Sequence, residues 1–94
     1  MAAYWVARCH VTNQEEYSKY AELAGPVIES YGGKFLARGG EQVEVEGGTY
    51  ERTVLVEFET FEKAVAAYES EDYQKALKAL DNGADREIRI FAGV

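Results

Sequence analysis

The sequence is short of several residue types on which particular classes of protein depend. It has one cysteine, Cys9, so no internal disulfide is possible, and with one histidine, His10, it has no Cys and His cluster of zinc-site spacing. No apolar run approaches the ~18 residues of a transmembrane helix. The chain does not open with the basic stretch and long apolar run of a signal peptide. We therefore expect a soluble, cytoplasmic protein without a metal site.

Basic residues are also scarce. The chain has 10 Lys and Arg against 17 Asp and Glu, which gives a net charge of −7. An acidic surface repels phosphate backbones and anionic lipid, so nucleic acid and membranes are not expected as partners. A metal-chaperone CxxC motif and a phosphate-binding P-loop are both missing.

What is present is enough for one small globular domain. The 94 residues suit a single domain over residues 1–94, and 47% of them are hydrophobic. Seven tyrosines are many for this length, and tyrosine suits half-buried surfaces where its hydroxyl finds a polar partner. A domain of this size has a modest core, so covering a sheet face with a partner would stabilise it.

Periodicity along the chain predicts four strands and two helical regions. Asn13 with Glu16, or Thr12 with Glu15, has the spacing of a helix N-cap and its acidic third residue, and Gly32-Gly33 ends that helix. The second region is predicted as two short helices that meet near Glu69-Ser70. The predicted elements are a strand over Ala3–Val11, a helix, a strand over Lys34–Glu46 broken at Gly39-Gly40, a strand over Arg52–Glu59, helices capped by Thr60 and Ser70, and a strand over Arg86–Ala92.

This order predicts a ferredoxin-like α+β fold, βαββαβ, with a four-stranded antiparallel sheet and the helices on one face. We expect strand one beside strand three, and strand four beside strand two. Val54, Val56 and Phe58 alternate toward the helices. The other face then mixes apolar and charged residues, which is typical of a surface that pairs with a second copy: Leu55, Glu57, Arg89 and Phe91, with Leu36 and Arg38 joining if the glycine bulge permits.

Pro26 lies inside the predicted first helix. An interior proline removes one backbone hydrogen bond and costs about 3 kcal/mol. Either the helix tolerates a kink there, or the kink opens space between helix and sheet through which a ligand enters.

Arg38-Gly39-Gly40 is the sharpest candidate binding motif. A guanidinium beside backbone without side chains can hold a carboxylate or enolate with paired hydrogen bonds. The alternative is a structural bulge with an internal ion pair between Arg38 and Glu57. The motif alone has low specificity.

Other candidate site residues are a proton-transfer group and an aromatic wall. His10 or Glu57 could transfer a proton, although a histidine at a strand end is also common as a plain surface residue. Trp5, Tyr68 and Tyr73 form either an aromatic-lined pocket between helices and sheet or part of the core. We expect Cys9 to be a small buried residue and not a nucleophile.

Residues Tyr31 to Gly40, which read YGGKFLARGG, resemble a specific stretch of the family catalogued as domain of unknown function 1330. Weaker similarity lies in Tyr4-Trp5, Tyr17-x-x-Tyr20, Pro26, Val56-Glu57-Phe58, Ala67-Tyr68 and Ser70-x-x-Tyr73. The resemblance implies the dimeric α+β barrel superfamily, in which two ferredoxin-like sheets face each other with the helices outside. Its relatives include cofactor-free monooxygenases, muconolactone-type isomerases and haem enzymes, but this family has no settled activity.

Two functions follow as hypotheses. In the first, the protein binds or transforms a small, partly apolar organic anion near Arg38, with Gly39, Trp5, Tyr68 and Tyr73 at the site. In the second, it is a non-catalytic dimeric module, regulatory or stress-associated, with a closed core and no ligand. No cofactor is predicted, since haem would need an axial ligand and only the weak candidate His10 offers one.

Overall fold

The computed structural model describes residues 1–94 as four strands and three helices. Their order is β1 (Ala3–Val11), α1 (Gln14–Ser30), β2 (Lys34–Arg38), β3 (Arg52–Phe58), α2 (Phe61–Glu69), α3 (Glu71–Leu80) and β4 (Ala84–Ala92). The predicted βαββαβ arrangement is confirmed, with its second helical region divided in two. None of these helices combines the length and apolarity needed to cross a membrane.

Each helix begins at a side-chain cap that the sequence predicts. The side chains of Asn13, Thr60 and Ser70 each accept a hydrogen bond from the backbone N–H three residues on, at 3.1 Å in all three cases. Because Ser70 has extended backbone angles, it ends α2 and starts α3. In contrast, α1 continues through Pro26 to Ser30 as one helix.

The strand order is β2-β3-β1-β4, and all neighbours are antiparallel. The predicted pairing of strand one with strand three is confirmed, but the expectation of strand four beside strand two is wrong. Helix α1 connects the parallel strands β1 and β2, which have β3 between them. Helices α2 and α3 connect the parallel strands β3 and β4, which have β1 between them. The two crossovers therefore interleave, and β2 and β4 become the opposite edges of the sheet.

The second strand is much shorter than predicted. It ends at Arg38 because Gly39 has a φ of +73°, which lies outside the range of a strand. The bulge lies at Leu36, between the pairs Phe35–Val56 and Ala37–Leu55, and not at the glycines. This bulge turns Arg38 to the face that carries the helices. The last strand begins at Ala84, two residues earlier than predicted.

The two faces of the sheet otherwise follow the predicted alternation. The helix-facing side holds most of the core, with the side chains of Trp5, Val56 and Phe58 almost fully buried against Tyr73 and Ile28. We call the opposite side the outer face. It is defined by the cross-strand neighbours Tyr4, Val6, Leu55, Glu57, Arg89 and Phe91.

Candidate functional site

A cleft opens between α1 and the helix-facing side of the sheet. Helix α1 packs along α3 and stands away from the strands, which leaves space beneath it. Free interior volume in the cleft is about 40 Å³, and the space between its walls, open mouth included, is about 500 Å³. The interior could hold about three waters, or the anionic group of a small ligand whose remaining atoms lie in the open part of the cleft. Its apolar walls include Ala7, Ala21, Ala24, Ile28, Val54, Val56 and Ile88.

Three arginines line this otherwise apolar cleft: Arg38, Arg52 and Arg86. Arg52 and Arg86 are half-buried, and both lie opposite Cys9, one on each side of β1. None of the three forms an ion pair with a carboxylate. Three guanidinium charges without a neutralising acid are unusual in a chain whose net charge is −7.

Tyrosine hydroxyls hold two of these guanidinium groups in place. Arg52 donates from Nε to the hydroxyl oxygen of Tyr17 at 2.7 Å. Arg86 donates from Nη1 to Tyr20 and from Nη2 to Tyr73, each at 3.0 Å. The hydroxyls of Tyr20 and Tyr73 are themselves 2.7 Å apart. Both arginines are thus oriented by neutral partners, which leaves their charge available to a ligand.

Two glycines provide the space that the arginines occupy. A Cβ on Gly39 would overlap the guanidinium of Arg52. A Cβ on Gly25, the α1 residue before Pro26, would come within 2.9 Å of Arg38 Nη2. Arg38 itself is exposed at the mouth, and its guanidinium carbon lies 4.0 Å from the centre of the Phe35 ring.

Burial shapes the electrostatics of the cleft. Desolvation raises the pKa of Tyr17 and, much more strongly, the pKa of Tyr20, so both phenols are uncharged at neutral pH. Burial also raises the pKa of the Cys9 thiol, against the opposing charges of Arg86 and Arg52. Burial works against the charge on Arg86, but the tyrosine oxygens facing it raise its pKa on balance.

The structure places some of the predicted ligand-binding residues at the cleft and others behind it. Arg38 and Trp5 line it, and Gly39 lies against Arg52. Trp5 is also a core residue, since its indole N–H donates to the Ala64 carbonyl at 2.8 Å. Tyr68 and Tyr73 pack against Trp5, with ring centres 5.9 and 5.2 Å from it, and line no part of the cleft.

The predicted proton-transfer residues lie on the other side of the sheet. His10 is exposed, and its Nδ1 is 3.0 Å from Oε2 of Glu51. This hydrogen bond, together with the backbone N–H groups nearby, lowers the pKa of Glu51. Glu57 accepts a hydrogen bond from the Tyr4 hydroxyl at 3.4 Å, and no Arg38–Glu57 ion pair forms because the bulge at Leu36 turns Arg38 away.

Four residues of the site are not among the predicted site residues: Tyr17, Tyr20, Arg52 and Arg86. The tyrosines are hidden in the apolar stripe of α1. The two arginines could have been found from the strand alternation. Arg52 lies in register with the inward-facing Val54 and Val56, and Arg86 lies in register with Ile88 and Ile90. An arginine in an inward-facing register indicates a buried charge that needs a partner.

The element order, the sheet and the one-sided helices define a ferredoxin-like α+β protein. The chain belongs to the DUF1330 family, a domain of unknown function, whose sequence model matches residues 2–94. The resemblance read from residues 31–40 is therefore confirmed. No match was found among curated proteins.

Solved structures share this fold at low sequence identity. A protein of unknown function from Rhodopseudomonas palustris, RPA0582, is 17% identical over 99% of this chain and 82% of its own, with a TM-score of 0.81. SnoaB, a cofactor-independent oxygenase from Streptomyces nogalater, is 11% identical over 99% and 93%, with a TM-score of 0.68. A dimeric ferredoxin-like protein of unknown function from Thermobifida fusca is 15% identical over 99% and 92%, with a TM-score of 0.57. These likenesses establish the fold and no reaction.

Proposed function

We propose that residues 1–94 act as one cytoplasmic domain that binds or transforms a small, partly apolar organic anion in the cleft beneath α1. Arg52 and Arg86 bind the anionic oxygens, and Arg38 guides the ligand at the mouth. The observation that carries the proposal is the set of three guanidinium groups with no carboxylate partner in an apolar cleft.

Both half-buried arginines keep unused hydrogen-bond donors. An arginine has five N–H donors. Arg52 uses Nε on Tyr17, and Arg86 uses one donor on each of two tyrosines, so each keeps donors for a ligand. A bound carboxylate or enolate would satisfy them with charge-assisted bonds, which are about twice as strong as neutral ones.

The alternative of a ligand-free dimeric module requires a closed core. The cleft beneath α1 argues against it, because its apolar walls and free charges have no role in pairing the outer face. His10 and Glu57 do not line the cleft, so neither is a proton-transfer group for a ligand bound there.

Pairing with a second copy through the outer face is part of the proposal. That face exposes Phe91 and also carries Leu55 and Val6, together with the charges of Glu57 and Arg89. The Thermobifida fusca neighbour, which has the same fold, is described as dimeric. The outer face and the cleft lie on opposite sides of the sheet, so dimerisation would leave the cleft open.

Titration with benzoate, followed by calorimetry or amide chemical shifts, tests the proposed site. Arg52→Gln should weaken benzoate binding about ten- to a hundredfold, since a hydrogen bond to a charged group contributes about 1.5–3 kcal/mol. Arg38→Ala should weaken it less, because Arg38 is exposed. Lys19→Gln removes the same charge from the exposed side of α1 and is the matched control. Equal affinity in all four proteins would contradict the site.

A further inference from the structure

Tyr20 and Tyr73 form a buried pair of hydroxyls beside Arg86, and one of their two hydroxyl protons has no hydrogen-bond acceptor within the protein. Tyr73 is fully buried, and its hydroxyl has two neighbours, Tyr20 and Arg86. A guanidinium can only donate, so the one acceptor available to the Tyr73 proton is the oxygen of Tyr20. Tyr73 is the better-placed donor of the pair, because its proton has no other acceptor, whereas the Tyr20 proton can turn to the cleft.

With Tyr73 as donor, the Tyr20 hydroxyl points its own proton elsewhere. Its oxygen accepts from Tyr73 at 2.7 Å and from Arg86 at 3.0 Å, which fills both lone pairs. Its own proton has no acceptor among the neighbouring side chains. Unlike Tyr73, Tyr20 is a wall residue of the cleft. A buried donor without a partner is costly, and a ligand atom in the cleft is the partner that would remove this cost.

The other polar groups of the cleft are also mainly hydrogen-bond donors. Its sixteen lining residues include three arginines and two tyrosines, and none carries a carboxylate, an imidazole or an amide. The indole N–H of Trp5 is already used on Ala64. A ligand thus meets side-chain donors in several directions and only two side-chain acceptors, the second lone pair of the Tyr17 hydroxyl and the weak thiol of Cys9.

We infer that this cleft discriminates the deprotonated from the protonated form of a weakly acidic hydroxyl compound, such as a phenol or an enol, and holds it as the phenolate or enolate. The inference rests on the proposed anion site. A neutral phenol would bring a further proton into a cleft whose only side-chain acceptors are the Tyr17 hydroxyl and the Cys9 thiol, and it would leave the arginine charges unneutralised. Its phenolate brings only acceptor sites, which Tyr20 and the guanidinium groups of Arg52 and Arg86 satisfy.

4-Nitrophenol is a suitable probe, because its phenolate and phenol forms absorb at different wavelengths. The pH titration of the bound probe is compared with that of the free probe, with 4-nitroanisole as a neutral analogue. We expect the pKa of bound 4-nitrophenol to be at least one unit lower, which is a tenfold preference for the phenolate. We also expect 4-nitroanisole to bind at least tenfold more weakly than the phenolate.

Variants distinguish the hydrogen bond from Tyr20 from the electrostatic attraction of the arginines as causes of the lower probe pKa. Tyr20→Phe should reduce the pKa difference between free and bound probe, while Tyr31→Phe, which removes a hydroxyl at the end of α1, should not. The double variant Tyr20→Phe with Tyr73→Phe avoids a stranded Tyr73 hydroxyl and should behave like Tyr20→Phe. All variants are first checked for cooperative unfolding.

The outcomes distinguish this inference from the proposed function. If 4-nitrophenolate and benzoate both bind but the probe keeps its free pKa, or if Tyr20→Phe leaves the difference unchanged, the discrimination is wrong and the anion site stands. If neither anion binds, both are wrong. If both anions bind, the bound probe titrates at lower pH than the free probe and Tyr20→Phe reduces that difference, both are supported.

Discussion

Arg52 Nε donates to the hydroxyl oxygen of Tyr17 at 2.7 Å, and no carboxylate lies within ion-pair distance of this guanidinium. Half-buried arginines are ordinarily paired with an acid, because an unpaired charge away from water is costly. Here a neutral phenol orients the group without neutralising it. The arrangement keeps a positive charge fixed in place, which is what a binding site for anions requires.

Gly39→Ala should displace Arg52 and weaken anion binding. The new Cβ would overlap the Arg52 guanidinium, and the φ of +73° adds about 1–2 kcal/mol of backbone strain. Gly32→Ala is a matched control, since its φ is +84° but its Cβ would meet open space. Gly39→Ala should lose at least as much stability as Gly32→Ala in urea denaturation, and only Gly39→Ala should lose benzoate affinity. Equal losses of affinity in the two variants would show that Gly39 does not act through Arg52.

Much of the fold could be predicted because its signals are local. The caps at Asn13, Thr60 and Ser70 depend on one side chain and a spacing of three residues, and strand alternation in β1 and β3 needs no distant partner. The strand order could not be obtained in this way, because it depends on how two crossovers interleave.

The site was only partly predictable for a related reason. Arg38 stands out beside two glycines, but the face it occupies depends on a bulge at Leu36 that becomes visible only in the pairing with β3. The convergence of Tyr20, Tyr73 and Arg86 joins residues 53 and 66 positions apart in the chain. No local pattern brings such residues together.

Alkaline pH should destabilise the fold through Tyr20. Burial raises its pKa in the folded state above the ordinary value near 10, so the unfolded chain loses this proton first. Stability from this group is therefore fully present below about pH 10 and falls as the pH rises toward the folded pKa. Free energies of unfolding measured from pH 9 to 12 should fall less steeply in Tyr20→Phe than in wild type. A Tyr31→Phe control should retain the steep slope; identical slopes in wild type and Tyr20→Phe would contradict the assignment.

His10→Ala should raise the pKa of Glu51 toward its ordinary value. The hydrogen bond from His10 is the largest cause of the lowered pKa, and the Val11 N–H, which donates at 3.1 Å, should keep a smaller part of the effect. Because the folded pKa is lowered, the contribution of Glu51 to stability is present above its unfolded pKa and is lost as the pH falls through the folded one. Carboxyl ¹³C shifts of Glu51, titrated from pH 2 to 7 in both proteins, measure the change. An unchanged midpoint would exclude the His10 contact in solution.

Leu55→Arg should convert the proposed dimer to a monomer without closing the cleft. Leu55 lies at the centre of the outer face, paired with Val6 on β1 and Ala37 on β2, so an arginine there would put a charge into any sheet-to-sheet contact. Leu23→Arg is the matched control, since Leu23 is an exposed leucine on α1 that does not line the cleft. In sedimentation equilibrium, wild type and Leu23→Arg should have twice the 10.5 kDa mass of the chain, and Leu55→Arg should have the single-chain mass.

Because the cleft opens on the other side of the sheet, benzoate affinity should be the same in all three proteins. A wild-type protein of single-chain mass would refute the dimer, and loss of benzoate binding in a folded Leu55→Arg monomer would show that the cleft depends on the second copy.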